Sequence, residues 1–285
     1  MSGMKILLRV SLLLLLGLLA VAPVTLGQSS WVEFSARLTP TSGLEEPVRG
    51  FPFYLLRKSF EDIRAEAEAA EPKPDLDAFV DHLDLSPQLK AWMKKRRTVS
   101  LAGDDFVRSL TADEIMNVPE FYQAYLERVS GDRTVKLPKP KYKPADQTKD
   151  PEKYKKLSAE YTEAIRQFIV HNPQTVEGLD LALEATNPGP KWNSQGAARV
   201  AQVRRYALEL AQSKYLVGRV ETNLEGQGVF RDLPPGAYWL STLDVVATVG
   251  DARSRWDVLV MVRGGLGSRV ALSNANAAPP APSSP

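Results

Sequence analysis

Between residues 31 and 38 polar and apolar positions alternate. Trp31, Glu33, Ser35 and Arg37 fall on one side of an extended chain, and Val32, Phe34, Ala36 and Leu38 on the other. That period of two predicts a strand with one buried face. The run stops at Thr39-Pro40. A polar turn over 41–46 leads to Pro47, and 48–56 is rich in aromatic and branched residues. Pro52 has no N–H to give to a ladder, so this second run predicts an edge strand or a bulge rather than a fully paired central strand.

From about 59 to 213 the apolar spacing changes to three and four. Ser59 is placed to cap a helix running to 71. Ser86, with Pro87 at the first helical position, opens a helix whose far end carries Lys94, Lys95, Arg96 and Arg97, charges that complement the helix dipole. Thr111 and Glu114 have capping-box spacing. Pro119 opens a helix with Phe121, Tyr122, Tyr125, Leu126 and Val129 on one side, and Gly131 closes it. Asp150-Pro151 opens the longest helix, in which Tyr154, Leu157, Tyr161, Ile165, Phe168 and Ile169 form one stripe before Asn172-Pro173. This stripe is expected to be buried against helices bearing Phe121, Tyr125, Val203 and Leu210. A last helix is expected over 195–213.

Strand character returns at Lys214. Five short runs, 215–222, 228–232, 237–243, 253–262 and 268–273, are separated by turn residues such as Pro234-Pro235-Gly236 and Gly264-Gly265. Two strands alone do not make a stable sheet. The economical arrangement is an α+β fold: one seven-stranded antiparallel β-sandwich split by an all-α insertion between its second and third strands, which loop-closure entropy tolerates. The expected organisation is a signal segment over 1–27, first strands over 28–58, the helical insertion over 59–213, the remaining strands over 214–276, and a tail over 277–285 made of Ala, Pro and Ser only, which has no means of packing.

Charge sharpens the picture at the start of the chain. The 285 residues hold 36 Lys and Arg against 34 Asp and Glu. The excess equals Lys5 and Arg9, which precede an apolar run over 10–22 and small residues at Ala20, Ala22, Thr25 and Gly27. This is the pattern of a secretory signal, with cleavage after Gly27 leaving Gln28 first. The apolar run is short for a membrane span, so the expectation is an exported protein, periplasmic or extracellular and soluble after cleavage. The remaining chain is neutral, with no net field to attract nucleic acid. There is no Cys and only His82 and His171, which removes thiolate chemistry, disulfides, cysteine zinc sites and multi-histidine metal centres.

The C-terminal strands carry a resemblance. Thr222-Asn223-Leu224-Glu225-Gly226, then Gly228-Val229-Phe230, then Leu233-Pro234-Pro235-Gly236-Ala237-Tyr238-Trp239-Leu240 resembles the core signature of carboxypeptidase regulatory-like domains, which are transthyretin-like (prealbumin-type) β-sandwiches. Asn223 stands where Asp is usual and makes the same side-chain-to-backbone turn. Pro47-Val48-Arg49-Gly50 before 51–56 resembles an earlier element of that family. The match covers about 90 residues at the two ends. The resemblance implies a non-catalytic module of an exported bacterial protein, serving stability, binding or surface assembly. Independently of the family, Pro235 fixes φ and Gly236 is free to take a positive φ, so a tight reversal is expected, with Phe230, Tyr238 and Leu240 filling an inter-sheet core.

Chemistry-bearing groups are sparse. Asp81-His82 with Asp84 is a fragment of a metal or acid–base site or, with more weight, a solvated helix end. His171 sits where a cation favours the helix dipole. Asp104-Asp105 and Asp113-Glu114 are neighbouring acids without the separation across a cleft that carboxylate catalysis needs. Ser59, Ser86 and Ser109 lack a nucleophile-elbow context, and Gly264-Gly265-Leu266-Gly267 has no Lys-Ser/Thr to complete a phosphate loop. The stretch 133–156 has nine Lys and Arg against three acids: a grip for a polyanion, or a solvated linker. Trp31, Trp192, Trp239 and Trp256 are stacking platforms for sugar or core residues. The expectation is therefore no catalytic residue, no cofactor and no metal. The chain reads as a binding or structural protein of the bacterial cell envelope, presenting its helical surface to a protein or envelope component. The alternatives are a carbohydrate-binding module, or a hydrolase with a site between helices and sandwich.

Overall fold

The computed structural model describes residues 29–41, 43–131 and 134–278. The expected signal segment, 1–27, and residues 279–285 of the expected tail lie outside them. The chain divides into two compact units. One combines the residues up to Glu68 with those from Arg204 onward, and the other is Ala69–Val203. The molecule is mixed α+β with several antiparallel sheets.

In the first unit, β1 (Ser30–Leu38), β2 (Glu46–Pro47) and β3 (Pro52–Leu56) precede the helices. After them come β4 (Leu216–Glu221), β5 (Gln227–Leu233), β6 (Gly236–Ser241), β7 (Ala247–Val249), β8 (Ala252–Ser254), β9 (Asp257–Val262) and β10 (Gly267–Leu272). One sheet has β1 between β10 and β5, with β2 on the end of β1; the other runs β4-β3-β6-β9; β7 and β8 form a separate hairpin. Among the described residues there are thus ten strands rather than seven, and the insertion falls between the third and fourth. The extra strands are two or three residues long, too short to show alternation. One pairing departs from the antiparallel expectation: β1 and β10 run parallel, from Trp31 opposite Gly267 to Ala36 opposite Leu272. They come from opposite ends of the chain, so no turn in the sequence announces their direction.

Alternation in β1 places Val32, Phe34, Ala36 and Leu38 in a buried cluster with Phe53, Leu55, Phe230, Tyr238, Leu240, Trp256, Val260 and Leu272. The ring of Phe34 lies 4.7 Å from Phe53 and 5.9 Å from Phe230. Gly228 leaves room for it, since a Cβ there would stand 2.4 Å from Phe34 Cζ. Pro52 is the first residue of β3, opposite Glu221 only. That position needs no N–H on the second side, so β3 is central after all, with its irregularity at Leu55/Leu56. The Leu-Pro-Pro-Gly reversal differs in detail from expectation: the left-handed residue is Asp232, at φ 56°, and not Gly236. Tyr238 Oη donates to Pro234 O at 2.8 Å across the turn.

Helix α1 (Phe60–Ala70) begins on this unit. Its first turn is capped by Ser59 Oγ, which accepts from Asp62 N at 3.0 Å, and by Asp257 of β9, which accepts from Phe60 N at 2.8 Å. Lower in the helix, Glu66 receives Lys58 at 2.7 Å, Lys214 at 2.8 Å and Tyr215 Oη at 2.7 Å. Hydrogen bonds from Lys214, Lys58 and Tyr215 hold its carboxyl down at about 2. This carboxylate ties together the residues where the chain leaves the strands and where it returns.

The second unit is helical: the rest of α1, then α2 (Leu76–Asp81), α3 (Pro87–Arg96), α4 (Asp104–Ser109), α5 (Ala112–Asn117), α6 (Pro119–Gly131), α7 (Asp146–Lys149), α8 (Pro151–His171), α9 (Leu179–Ala182) and most of α10 (Gly189–Leu210). A π-turn over Ala211–Tyr215, in the first unit, leads on to β4. The expected caps form: Ser86 Oγ accepts from Leu89 N at 3.1 Å, and Thr111 and Glu114 close a capping box. The core gathers Leu89, Trp92, Met93, Phe106, Phe121, Tyr125, Ile165 and Ile169. Of the α8 stripe only Ile165 and Ile169 are fully buried, while Tyr154, Leu157, Tyr161 and Phe168 are half-buried. The partners Phe121 and Tyr125 are as expected. Val203 and Leu210 are not part of this cluster: Val203 is the last residue of the helical unit, and Leu210 already belongs with the strands.

Candidate functional site

The face of β1 that the core does not use carries Trp31, Glu33, Ser35 and Arg37. Parallel pairing with β10 sets Gly267 beside Trp31, Arg269 beside Glu33 and Ala271 beside Ser35. Antiparallel pairing with β5 sets Val229 beside Glu33 and Gln227 beside Ser35. Of these residues, Glu33, Ser35, Gln227, Arg269 and Ala271 line a depression of about 490 Å³, a size within the ~300–1,000 Å³ of small-ligand sites. Trp31 stands one residue pair beyond, about 7 Å along the strand. Its indole lies against the backbone of Gly267, where a Cβ would fall 2.0 Å from Trp31 Cζ2. Any residue but glycine there would displace the ring.

Arg269 Nε meets Glu33 Oε2 at 3.1 Å, and the arginine side chain is 82% exposed. An ion pair so open to water contributes little, so both partners remain available to a ligand. The floor thus offers donors from Arg269, Gln227 and Ser35, acceptors from Glu33, Gln227 and Ser35, and an aromatic edge. This combination matches a polyhydroxylated ligand that stacks on a ring.

Most of the other sequence candidates are engaged structurally, while Asp84 and Asp105 lie exposed. His82 Nδ1 lies 2.6 Å from Ala78 O and Asp81 pairs with Lys94 at 2.6 Å; the hydrogen bond from Lys94 lowers the Asp81 carboxyl. His171 Nδ1 lies 2.6 Å from Gln167 O. Asp104 pairs with Arg108, and Asp113 with Arg166. Glu114 accepts from Trp92 Nε1 at 3.0 Å and from Arg96; burial works against its charge, yet these bonds and those of Thr111 hold its carboxyl below the usual range. Ser86 bonds Glu120 at 2.6 Å, and Ser109 donates to Phe106 O. Trp256 is fully buried with Nε1 donating to Ser273 O at 2.9 Å, and Trp192 packs on Phe79. Trp31 and Trp239 are half-buried. Among the described residues no three His, Cys, Asp or Glu side chains gather to hold a metal ion, and no helix is long and apolar enough to cross a membrane.

A larger groove of about 800 Å³ in the helical unit runs between Val107, Leu110, Val170, Pro173 and Gln174. No aromatic ring lines it among the described residues. A buried ionic group lies elsewhere in the first unit. Arg255 pairs with Glu61 at 2.7 Å and lies 3.9 Å from Asp244. Asp257 is pushed up to about 6 by burial, and its Oδ1 has no hydrogen-bond partner among the described residues. Enclosed and engaged in capping α1, it serves the fold.

Sequence reasoning missed Arg269 and Gln227. The alternation of 31, 33, 35 and 37 was the available signal for one strand of the face. Only strand pairing brings in the other two.

No protein-family model matches the chain, and no curated protein matches it. Among solved structures, the chain is similar to one from Pseudomonas aeruginosa described as a putative carbohydrate binding protein, with 10% identity over 89% of this chain and 93% of that one, at a TM-score of 0.25. A likeness of that size fixes neither fold nor ligand.

Proposed function

We propose that this is an exported, non-catalytic carbohydrate-binding protein, in which a transthyretin-like module of the carboxypeptidase regulatory-like type presents the outer face of β10-β1-β5 to a short oligosaccharide. One observation carries the reading: Glu33, Ser35, Gln227 and Arg269 converge on one depression, with the Trp31 indole held on Gly267 on the same face. Such a face orders hydroxyl groups through several hydrogen bonds and stacks a sugar ring on the indole. It is shallow, and its one acid is paired with Arg269, so it suits recognition rather than bond cleavage. The cell envelope is where such a protein would meet its ligand.

Calorimetric titration against a panel of neutral and acidic oligosaccharides tests this. At least one should bind, and Gln227→Ala and Arg269→Ala should each weaken it about tenfold, the effect of losing one well-made hydrogen bond. Trp31→Ala should weaken it further. Binding unchanged in all three variants, or no oligosaccharide bound, would overturn the assignment.

A further inference from the structure

Charge in this chain is segregated. Between Lys136 and Lys156 there are eight lysines against three acids, Asp146, Asp150 and Glu152. The rest of the chain has 28 basic residues, 36 less eight, and 31 acidic ones, 34 less three. All eight lysines are exposed, and none forms an ion pair among the described residues. Two of the three acids are engaged with backbone: Asp146 accepts from Lys143 N at 2.8 Å and Asp150 from Lys153 N at 3.1 Å.

This is an anchored segment. Val135 and Leu137 pack on the helical core. Tyr142 seats its ring 5.0 Å from Tyr154 and 6.1 Å from Tyr161, with exposed Lys141 and Lys143 on either side of it. Pro138, Pro140 and Pro144 fix φ along the way. The lysines are therefore displayed by backbone already ordered on folding, so a ligand does not bear that entropy cost. With no ion pair among the described residues to offset it, their mutual repulsion is local to the segment, and an anionic ligand relieves it.

The chemistry narrows the ligand. Lysine ammonium groups are point charges without the planar fork that reads bases or clamps one phosphate. The neighbouring tyrosines pack edge-to-face on one another rather than standing free for nucleobases. The segment's apolar residues are committed to the core, so nothing remains to enter a bilayer. We propose that the lysine array of residues 136–156 binds a linear acidic polysaccharide, held by charge rather than by shape. It is a second binding surface, on the helical unit, independent of the sheet face.

The full chain is titrated with dextran sulfate and with uncharged dextran over a range of salt concentrations. Dextran sulfate should bind and dextran should not. K139Q/K141Q/K143Q should lose at least about tenfold in affinity at low salt and flatten the slope of log affinity against log salt by about 2, the release expected for three charges. K73Q/K95Q/K191Q removes the same charge from exposed positions elsewhere and should stay within about twofold. K139R/K141R/K143R should bind as the unmodified chain does, which separates charge from folding. Equal weakening by the two glutamine triples, no binding of dextran sulfate at low salt, or binding to anionic phospholipid vesicles in its place would overturn the proposal.

Discussion

Asp257 links one titration to one helix. In the unfolded chain it ionises near 3.8, and in the fold burial raises it to about 6. Between those values the folded state holds a proton that the unfolded state has released. The stability that this group contributes should therefore fall as pH rises from about 4 to about 6 and stay lower above, by on the order of 3 kcal/mol. Asp257→Asn should abolish that slope, as denaturant melts across the interval would show. The cap it makes on α1 was invisible in sequence, because helix and acid are 197 residues apart. Caps made within three or four residues, at Ser86, Thr111 and Asn223, were legible, because their geometry is local. Gly267 makes a second test at this scale. Gly267→Ala puts a Cβ into the Trp31 ring and should cost about 1–3 kcal/mol, as overpacking does, while dislodging the indole from the proposed sugar face.

Among elements, α8 shows what periodicity reveals and what it leaves open. The three-and-four spacing located the helix and its stripe. Which part of the stripe lies deepest depended on how α5 and α6 pack beside it, which no spacing encodes. Ile165→Ala should accordingly cost about 2–5 kcal/mol. Half-buried Phe168→Ala should cost about half as much, and exposed Lys156→Ala should stay within about 0.5 kcal/mol. Urea melts of the three variants would rank them. The strands of the first unit repeat the lesson. Alternation in β1 was plain, yet the parallel partner β10 was not, and with it went Arg269. The left-handed residue of the Leu-Pro-Pro-Gly reversal was misplaced for a similar reason: the register of β5 sets it at Asp232, ahead of the motif.

Across the whole molecule, β1 lies between β10 and β5, and β3 lies between β4 and β6. A fragment starting at Lys214 would lack both β1 and β3. Four strands would then expose unpaired edges and one apolar face, a condition that favours aggregation. Such a fragment should be insoluble or unfolded, and a cooperative melt of native-like stability would contradict the pairing. That the two ends of the chain would meet was legible from strands too few to stand alone. The site was half legible: its first strand could be read directly, and the rest depended on which strands became neighbours.

The most direct measurement is to follow backbone and indole amide resonances while titrating in an oligosaccharide that binds. With the ligand on the sheet face, shifts should be confined to Trp31, Glu33 and Ser35 of β1, Gln227 and Val229 of β5, and Arg269 and Ala271 of β10. Shifts gathered around Val107, Leu110, Val170 and Gln174 of the helical groove, with the sheet face unmoved, would contradict it.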